Sequence, residues 1–144
     1  MIYIGIDPGA SGGIGVIDTN EGANAFPYSD FALQQILSHH SKAKVIVEKV
    51  GAMPGQGVTS MFNFGKAYGY ILGALEMLQI SYELVTPKTW KKEFGLSSDK
   101  KQSIDCCKRL FPTVELRRTS HCRKDHDGMA EALLMAEYAR RHMK

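Results

Sequence analysis

Four acidic side chains stand where the sequence predicts that strands end or helices begin. Asp7 closes a short β-rich run, and Glu48 follows the β-branched residues Val45-Ile46-Val47. Asp127 and Glu131 are four residues apart, which places both on one face of a helix. Hydrolysis of a phosphodiester by two metal ions needs carboxylates from separate elements that hold the ions roughly 3.5–4 Å apart. The four acids therefore form a candidate metal site for phosphodiester cleavage.

Each acid also has an ordinary structural explanation. An Asp at the end of a strand often bonds its own backbone within a turn. Glu48 could pair with Lys44 or Lys49, although in a strand Lys49 points to the opposite face. Asp127 and Glu131 repel each other on one helix face by roughly 0.2–0.5 kcal/mol, a cost that a bound cation would reverse. These features favour metal binding for Glu48 and for the helical pair.

The residues beside the helical pair have weaker claims to the site. Asp125 lies two residues before Asp127, so in a helix it would point elsewhere, and its charge near the N-terminus would favour the helix dipole. His126 is either a ligand or general base, or an exposed loop histidine. Cys122 lies four residues before His126, but no C-x-x-C pair exists, so a zinc site is not expected.

Hydrophobic periodicity and turn residues predict the elements that must position the four acids. The predicted strands cover residues 2–7, 13–18, about 24–26, 44–50 and 82–86, and the predicted helices cover 31–37, 60–78, 88–94, 98–110 and 127–142. The run 44–50 contains an almost continuous series of β-branched residues, which is typical of a strand buried on both faces. This order predicts an α/β fold with a mixed sheet covered by helices. No linker or repeat divides residues 1–144, so we expect one domain.

Some details of the helices and loops are further predictions. Small residues recur every fourth position in the helix 60–78, at Gly65, Gly69 and Gly73. Such a stripe indicates that another backbone packs closely against the helix. Ser97 or Ser98 is the expected N-cap of the helix 98–110, with Asp99 in its first turn. Residues 112–124 are predicted to form a basic loop.

The overall composition is typical of a globular protein. The chain has 144 residues, of which 44% are hydrophobic and 23% are charged, and this length allows one hydrophobic core. No apolar run reaches the length of a membrane span, and the N-terminal sequence lacks the basic start and the cleavage site of a signal peptide. Three cysteines, two of them adjacent, do not suggest a disulfide framework. We therefore expect an intracellular protein with reduced thiols and no membrane partner.

The net charge of +3 conceals an asymmetry along the chain. Residues 1–87 contain four basic and seven acidic side chains, whereas residues 88–144 contain fourteen basic and eight acidic ones. Such a basic part is either a solvated helix surface or a surface that contacts phosphates. Beside the carboxylates it favours nucleic acid as the partner. The candidate phosphate contacts are Lys91, Lys100, Lys101, Arg117, Arg118, Arg123 and Lys124.

The order of these motifs resembles the RuvC family of Holliday-junction resolvases. The similar segments are Gly5-Ile6-Asp7-Pro8-Gly9 with residues 13–17, Val47-Glu48 with Gly65-x-x-x-Gly69, Thr86-Pro87-x-x-Trp90-Lys91 with residues 98–102, and Asp127-Gly128-x-Ala130-Glu131. The resemblance covers nearly the whole chain. Its last segment is most similar to the bacteriophage and plant-organelle branches.

The resemblance implies an RNase H-like fold, with a five-stranded sheet of three leading antiparallel strands and then parallel strands, flanked by helices. It implies a homodimer that binds four-way DNA junctions and makes paired nicks with Mg²⁺ or Mn²⁺, two ions per active site. Asp7, Glu48, Asp127 and Glu131 would be the metal ligands, and Lys100 would contact phosphate or the transition state. The implied compartment is the cytoplasm of a bacterial or phage-infected cell, or else an organelle.

Two regions of the chain depart from the family or leave alternatives open. Bacterial members generally end with two Asp residues three apart, whereas here the spacing is four and the second acid is Glu131. The Gly-rich segment 51–62 differs as well. In the family this region approaches the junction centre, so Phe62 or Phe64 would stack on an unpaired base, or both could belong to the core.

The helix 60–78 is the candidate interface of the homodimer. It carries more apolar and small residues than one buried face requires, including Tyr68, Tyr70, Ile71, Ala74 and Met77. A two-fold interface would set two metal sites in a fixed relation, as paired cuts require. The alternative is a central helix covered within its own domain.

Other functions are compatible with parts of the sequence. An RNase H-like nuclease acting on RNA or on other branched nucleic acid would use the same carboxylates. A non-catalytic nucleic-acid-binding module would lack part of the set, which here is complete. Actin-like kinases and ATPases also begin with a strand of the kind that Gly5-Ile6-Asp7-x-Gly9 forms here. Those proteins need two such domains, however, and two domains would need more than 144 residues.

Overall fold

The computed structural model describes residues 1–144 and contains ten regular elements. Strands β1–β5 are Ile2–Asp7, Gly13–Asp18, Gly22–Pro27, Lys44–Glu48 and Tyr82–Val85. Helices α1–α5 are Asp30–His39, Val58–Met77, Pro87–Glu93, Lys100–Leu110 and Asp127–His142. All predicted elements are present, and the bounds of α5 are those predicted. No helix has the length and apolar character that crossing a membrane requires.

The five strands form one sheet in the order β3-β2-β1-β4-β5. β1 pairs antiparallel with β2, and β2 pairs antiparallel with β3, so the first three strands form a meander. β4 pairs in parallel with both β1 and β5. The predicted mixed sheet of three antiparallel strands followed by parallel ones is therefore confirmed.

Helices cover both faces of the sheet. α1 and α2 pack on one face, and α3, α4 and α5 pack on the other. In β4, Val45 and Val47 belong to the hydrophobic core under α1 and α2, and Ile46 belongs to the core under α3, α4 and α5. All three are fully buried. This alternation confirms the prediction of a strand buried on both faces.

Helix α5 lies directly on the backbone of β1 and β2. A Cβ atom built at Gly5 would lie 2.5 Å from Ala136 N, and one built at Gly15 would lie 2.5 Å from Leu133 N. Carbon atoms in favourable contact are separated by about 3.5–4.0 Å, so no side chain fits at either position. These two glycines bring the helix that bears two of the candidate ligands close to the sheet.

The three glycines on α2 do not bring another element of the chain close to that helix. Gly65, Gly69 and Gly73 are exposed, and no atom lies within 4 Å of a Cβ built at any of them. The predicted close packing is therefore wrong for the single chain, because α2 turns only Ile71 and Leu75 fully into the core. The assignment of Ile71 to an interface is wrong for the same reason.

The start of α4 also differs from the prediction. Asp99, rather than Ser97 or Ser98, is the N-cap, and its side chain accepts a hydrogen bond from Lys101 N at 3.0 Å. Asp satisfies the free N–H groups of a first turn at least as well as Ser does. Ser97 Oγ instead donates to Gln102 Oε1 at 2.9 Å. The cap makes Lys100 the first residue of α4.

Candidate active site

The two candidate ligands from the sheet are neighbours at one edge. β1 and β4 run in parallel, and Ile6 pairs with Val47, so Asp7 and Glu48 are the last residues of adjacent strands. Both side chains are partly buried. These two acids are forty-one positions apart in the sequence, and the parallel pairing of β1 with β4 brings them side by side.

A tight turn after β1 allows the start of α5 to reach the same edge. Gly9 has a φ of 107°, which residues with a side chain rarely adopt, and Gly12 N donates to Gly9 O at 3.0 Å. A Cβ built at Gly13 would lie 2.5 Å from Gly128 O, so the turn and the helix touch through backbone atoms. This contact holds Asp127 near the strand ends.

Glu131 is the buried acid of the cluster, with 2% of the residue exposed. Lys100 Nζ lies 2.7 Å from Glu131 Oε1 and 3.6 Å from Asp127 Oδ2. On the other side, Lys91 Nζ lies 3.9 Å from Glu131 Oε2. A buried carboxylate requires such partners, because an isolated charge away from water is strongly destabilising. Two lysines from α3 and α4 therefore compensate the acid that α5 contributes.

The concentration of negative charge raises the pKa of Asp7. Burial raises this pKa well above its ordinary value, and the carboxylates of Glu48, Glu131 and Asp127 raise it further, against the opposing effect of Lys100. Like charges that share a site disfavour ionisation of one another. Burial and the neighbouring acids together therefore outweigh the effect of Lys100 on the pKa of Asp7.

The donor set matches divalent cations in chemical type. Mg²⁺ is bound by oxygen ligands, and carboxylates from β1, β4 and α5 adjoin at this edge. No three acidic, histidine or cysteine side chains of the chain are placed to share one ion, and Lys100 instead neutralises two of the acids. The Lys100 side chain is 60% exposed, so its rotation would free Asp127 and leave Glu131 with Lys91 alone, without disturbing the core.

One partner of the cluster was not assigned a role from the sequence. Trp90 Nε1 donates a hydrogen bond to Glu48 Oε2 at 2.8 Å. Burial raises the pKa of Glu48, and this hydrogen bond opposes the rise. The available signal is the segment Pro87-x-x-Trp90-Lys91, in which the chain's single tryptophan precedes a lysine of the cluster. The motif indicates a functional role for these residues, but it does not show which acid each side chain contacts.

Asp125 and His126 have structural partners outside the cluster. Asp125 Oδ2 accepts a hydrogen bond from Lys108 Nζ at 3.0 Å. His126 is the N-cap of α5, and its Nδ1 accepts a hydrogen bond from Met129 N at 3.2 Å. The expected difference between Asp125 and Asp127 therefore has a geometric basis: only Asp127 lies beside Lys100.

The basic residues predicted to contact nucleic acid fall into different environments. Lys91 and Lys100 extend into the carboxylate cluster. Arg117 forms two hydrogen bonds with Glu115, each of 2.9 Å, through Nε and Nη2. The other four side chains are exposed and form no ion pair: Lys101, Arg118, Arg123 and Lys124.

The two aromatic residues at the start of α2 also differ. Phe62 is 71% exposed, whereas Phe64 is partly buried and its Cε2 lies 3.1 Å from a Cβ built at Gly9. Phe64 also lines a pocket of about 540 Å³ that begins at Glu48 and extends along the segment 49–56. Phe62 is thus the more exposed of the two, and Phe64 is accessible only from the pocket.

Comparison with known proteins rests on structure alone. No family model and no curated protein matches the sequence. A structure of Thermus thermophilus RuvC in complex with Holliday junction substrate is 21% identical, with a TM-score of 0.65, over 99% of this chain and 96% of that chain. Another structure of Thermus thermophilus RuvC is 16% identical, with a TM-score of 0.60, over 98% of this chain and 96% of that chain. The chain therefore has the RNase H-like fold of RuvC.

Proposed function

We propose that this protein is a structure-selective endodeoxyribonuclease that resolves four-way (Holliday) DNA junctions by paired cuts. The observation that carries the proposal is that four acids, from β1, β4 and α5, lie at one edge of a RuvC-like sheet, where Lys100 pairs with two of them. One of the structures with this fold is RuvC in complex with Holliday junction substrate. The fold and the acid cluster together favour a junction nuclease over other enzymes of phosphate chemistry.

Asp7, Glu48, Asp127 and Glu131 would hold two Mg²⁺ or Mn²⁺ ions in each active site. Bound there, the ions would supply an activated water and stabilise the leaving oxygen of the phosphodiester. Glu131 is held by the buried face of α5, and Asp7 and Glu48 are held by adjacent strands, so three of the ligands have rigid supports. Asp127, by contrast, has a side chain that is 41% exposed.

Lys100 would exchange one set of anionic partners for another. In the free protein it pairs with Glu131 and Asp127. If these acids held a cation, the ammonium group of Lys100 would be free to contact the phosphate of the DNA. A lysine ammonium carries three donors on a flexible stem, which suits contact with a charged phosphate.

The exposed basic residues would bind the arms of the junction. Lys101, Arg118, Arg123 and Lys124 have no acidic partner, so they can neutralise phosphates without breaking an ion pair. Arg117 would first have to leave Glu115, and we expect a smaller contribution from it. Phe62 would stack on an unpaired base near the junction centre.

A two-fold homodimer formed through α2 would place two such sites on one junction. On α2, Tyr70 is 39% exposed and Met77 is 85% exposed, and the exposed glycines Gly65, Gly69 and Gly73 leave room for close approach of a second backbone. An isologous interface sets its two active sites in a fixed symmetric relation. Paired cuts at symmetric positions follow from that relation.

Cleavage assays on defined substrates test this proposal. Purified protein is incubated with a four-way junction, a fork, a linear duplex and an RNA–DNA hybrid, with and without Mg²⁺. We expect symmetric nicks in the junction only when Mg²⁺ is present. Preferred cleavage of the hybrid or of the fork would make RNA or other branched nucleic acid the substrate. Binding without cleavage of any substrate, in Mg²⁺ or Mn²⁺, would indicate a non-catalytic binding module.

Substitutions at the acids separate metal binding from DNA binding. Asp7→Asn should abolish cleavage and leave junction binding largely intact, because Asp7 lies among the acids rather than on the basic surface. Asp127→Asn should also be severe, whereas Asp125→Asn should be mild, because Asp125 pairs with Lys108 instead. Nicking by Asp7→Asn at the wild-type rate would remove Asp7 from the mechanism.

A further inference from the structure

Trp90 links the hydrophobic core to the candidate metal site. Its ring is fully buried in the core that α3, α4 and α5 form on one face of the sheet. Its indole N–H points out of that core and donates to Glu48 Oε2 at 2.8 Å. Trp90 is therefore a rigid donor, because the packed core leaves its ring little freedom to move.

The strand fixes the backbone of Glu48 but not the orientation of its carboxylate. A glutamate side chain has three torsions, and the last of them, which turns the carboxylate plane, has broad minima. Trp90 is the only side chain that hydrogen-bonds Glu48, and the bond engages Oε2 alone. One oxygen is thereby held, and the other has no hydrogen-bonding partner in the protein.

The same short helix also supports a second acid. α3 begins at Pro87 directly after β5, and Thr86 caps it by accepting a hydrogen bond from Thr89 N. Its consecutive residues Trp90 and Lys91 reach Glu48 on β4 and Glu131 on α5, at 2.8 Å and 3.9 Å. Consecutive helical residues diverge by about 100° around the axis, so a single turn can address two acids on different elements.

We propose that Trp90 is a positioning residue for Glu48, whose indole N–H orients the carboxylate for binding of a divalent cation. This inference rests on the proposed metal-dependent nuclease function. Hydrogen-bonding partners of metal ligands fix ligand orientation, and their loss typically costs 10–100-fold in metal affinity. The alternative is purely structural: Glu48 would merely satisfy an indole N–H that is otherwise buried without a partner.

The test is the affinity of the full-length protein for Mn²⁺ in the absence of DNA, measured by electron paramagnetic resonance of free Mn²⁺. Trp90 is replaced by 3-benzothienylalanine, which keeps the size of the ring and lacks the N–H, and in a second variant by Phe. We expect both changes to weaken Mn²⁺ binding by about 10–100-fold. Thermal unfolding separates this effect from lost stability, and the first variant retains the packing if Trp90→Phe fails to fold.

Two controls separate positioning from packing. Met143→Ala removes a side chain of the same core that does not contact the acids, and it should bind Mn²⁺ as the wild type does. In a Glu48→Gln background, replacement of Trp90 should cause no further loss, because the carboxylate that it orients is absent. Unchanged Mn²⁺ affinity in the benzothienylalanine variant, or an equal loss in the Glu48→Gln background, would overturn the inference.

The outcomes also distinguish this inference from the proposed function. If the wild type binds no Mn²⁺, the metal-dependent function fails and the inference fails with it. If the wild type binds Mn²⁺ and the benzothienylalanine variant binds it equally well, the function stands and only the role of Trp90 is excluded.

Discussion

Helices α5 and α2 lie on opposite faces of the same sheet and have opposite surroundings. α5 has eleven buried residues among sixteen, whereas α2 has two among twenty. Both are rich in small residues. Those of α5 meet the glycines of β1 and β2 at backbone contact, whereas the three glycines of α2 meet no other part of the chain. Small residues in a helix thus permit close packing, but close packing occurs only where another backbone lies against them.

The difference separates two kinds of contribution to function. The tightly packed helix carries Asp127 and Glu131, so a small displacement there would move the candidate ligands. The open helix carries no candidate ligand, and its exposed face is available for a second copy of the chain. Substitutions on the two helices should therefore have different consequences, for the candidate site on α5 and for the proposed dimer on α2.

The largest expected effect comes from removing the charge of an acid on α5. Glu131→Gln should reduce junction cleavage by about 10³-fold, which corresponds to about 4 kcal/mol in the activation barrier. Glu76→Gln on α2 is the matched control, because Glu76 is exposed and accepts a hydrogen bond from Tyr82 Oη rather than from a member of the site. Single-turnover rates at saturating Mg²⁺ measure both. Comparable losses for the two variants would contradict the division between the helices.

The next effect compares one glycine from each packing environment. Gly15→Ala should lower the free energy of unfolding by about 3 kcal/mol, because the new methyl group meets the backbone of Leu133, which cannot move aside. At concentrations where the chain is monomeric, Gly69→Ala should instead leave stability unchanged or raise it by up to about 1 kcal/mol, because alanine favours the helix and has open space within the single chain. Urea unfolding of both variants checks this. Strong destabilisation by Gly69→Ala would show that α2 is tightly packed after all.

A charged substitution on α2 tests the assembly. Tyr70→Glu should give a folded monomer that nicks junctions without pairing the cuts, with dimer affinity reduced by about 100-fold, or about 2.7 kcal/mol. Tyr70 is 39% exposed, and its hydroxyl accepts a hydrogen bond from Gln34 Nε2, so the core should tolerate the change. Sedimentation at micromolar concentration gives the oligomeric state. A wild type that is monomeric both free and on junction DNA would exclude paired cutting by a homodimer.

The smallest effect concerns the basic loop that precedes α5. Lys124→Gln should lower the slope of log affinity against log salt concentration by about 0.9, the value for one lost phosphate contact on duplex DNA. Arg117→Gln should lower it less, because Arg117 is already paired with Glu115. Junction binding measured from low to moderate salt in Ca²⁺ checks both. Affinity that does not depend on salt would exclude this surface as the phosphate contact.

The order of the elements and the positions of the four acids follow from local patterns in the sequence. Alternation and β-branched runs predicted all five strands, and helical spacing predicted α5 to the residue. These patterns arise from local side-chain periodicity, so they can be recognised without knowing which elements pack against each other. The placement of Asp7 and Glu48 at strand ends also follows from local pattern.

Tertiary structure alone decided which residues meet. The pairing of Trp90 with Glu48, the ion pair of Lys100 with Glu131 and the tight contacts of Gly5 and Gly15 join residues that are far apart in the chain. Local periodicity predicted a closely packed glycine stripe on α2, whereas the close packing lies in β1 and β2. Glycine permits contact but does not specify a partner, because the partner is set by how the sheet and helices stack.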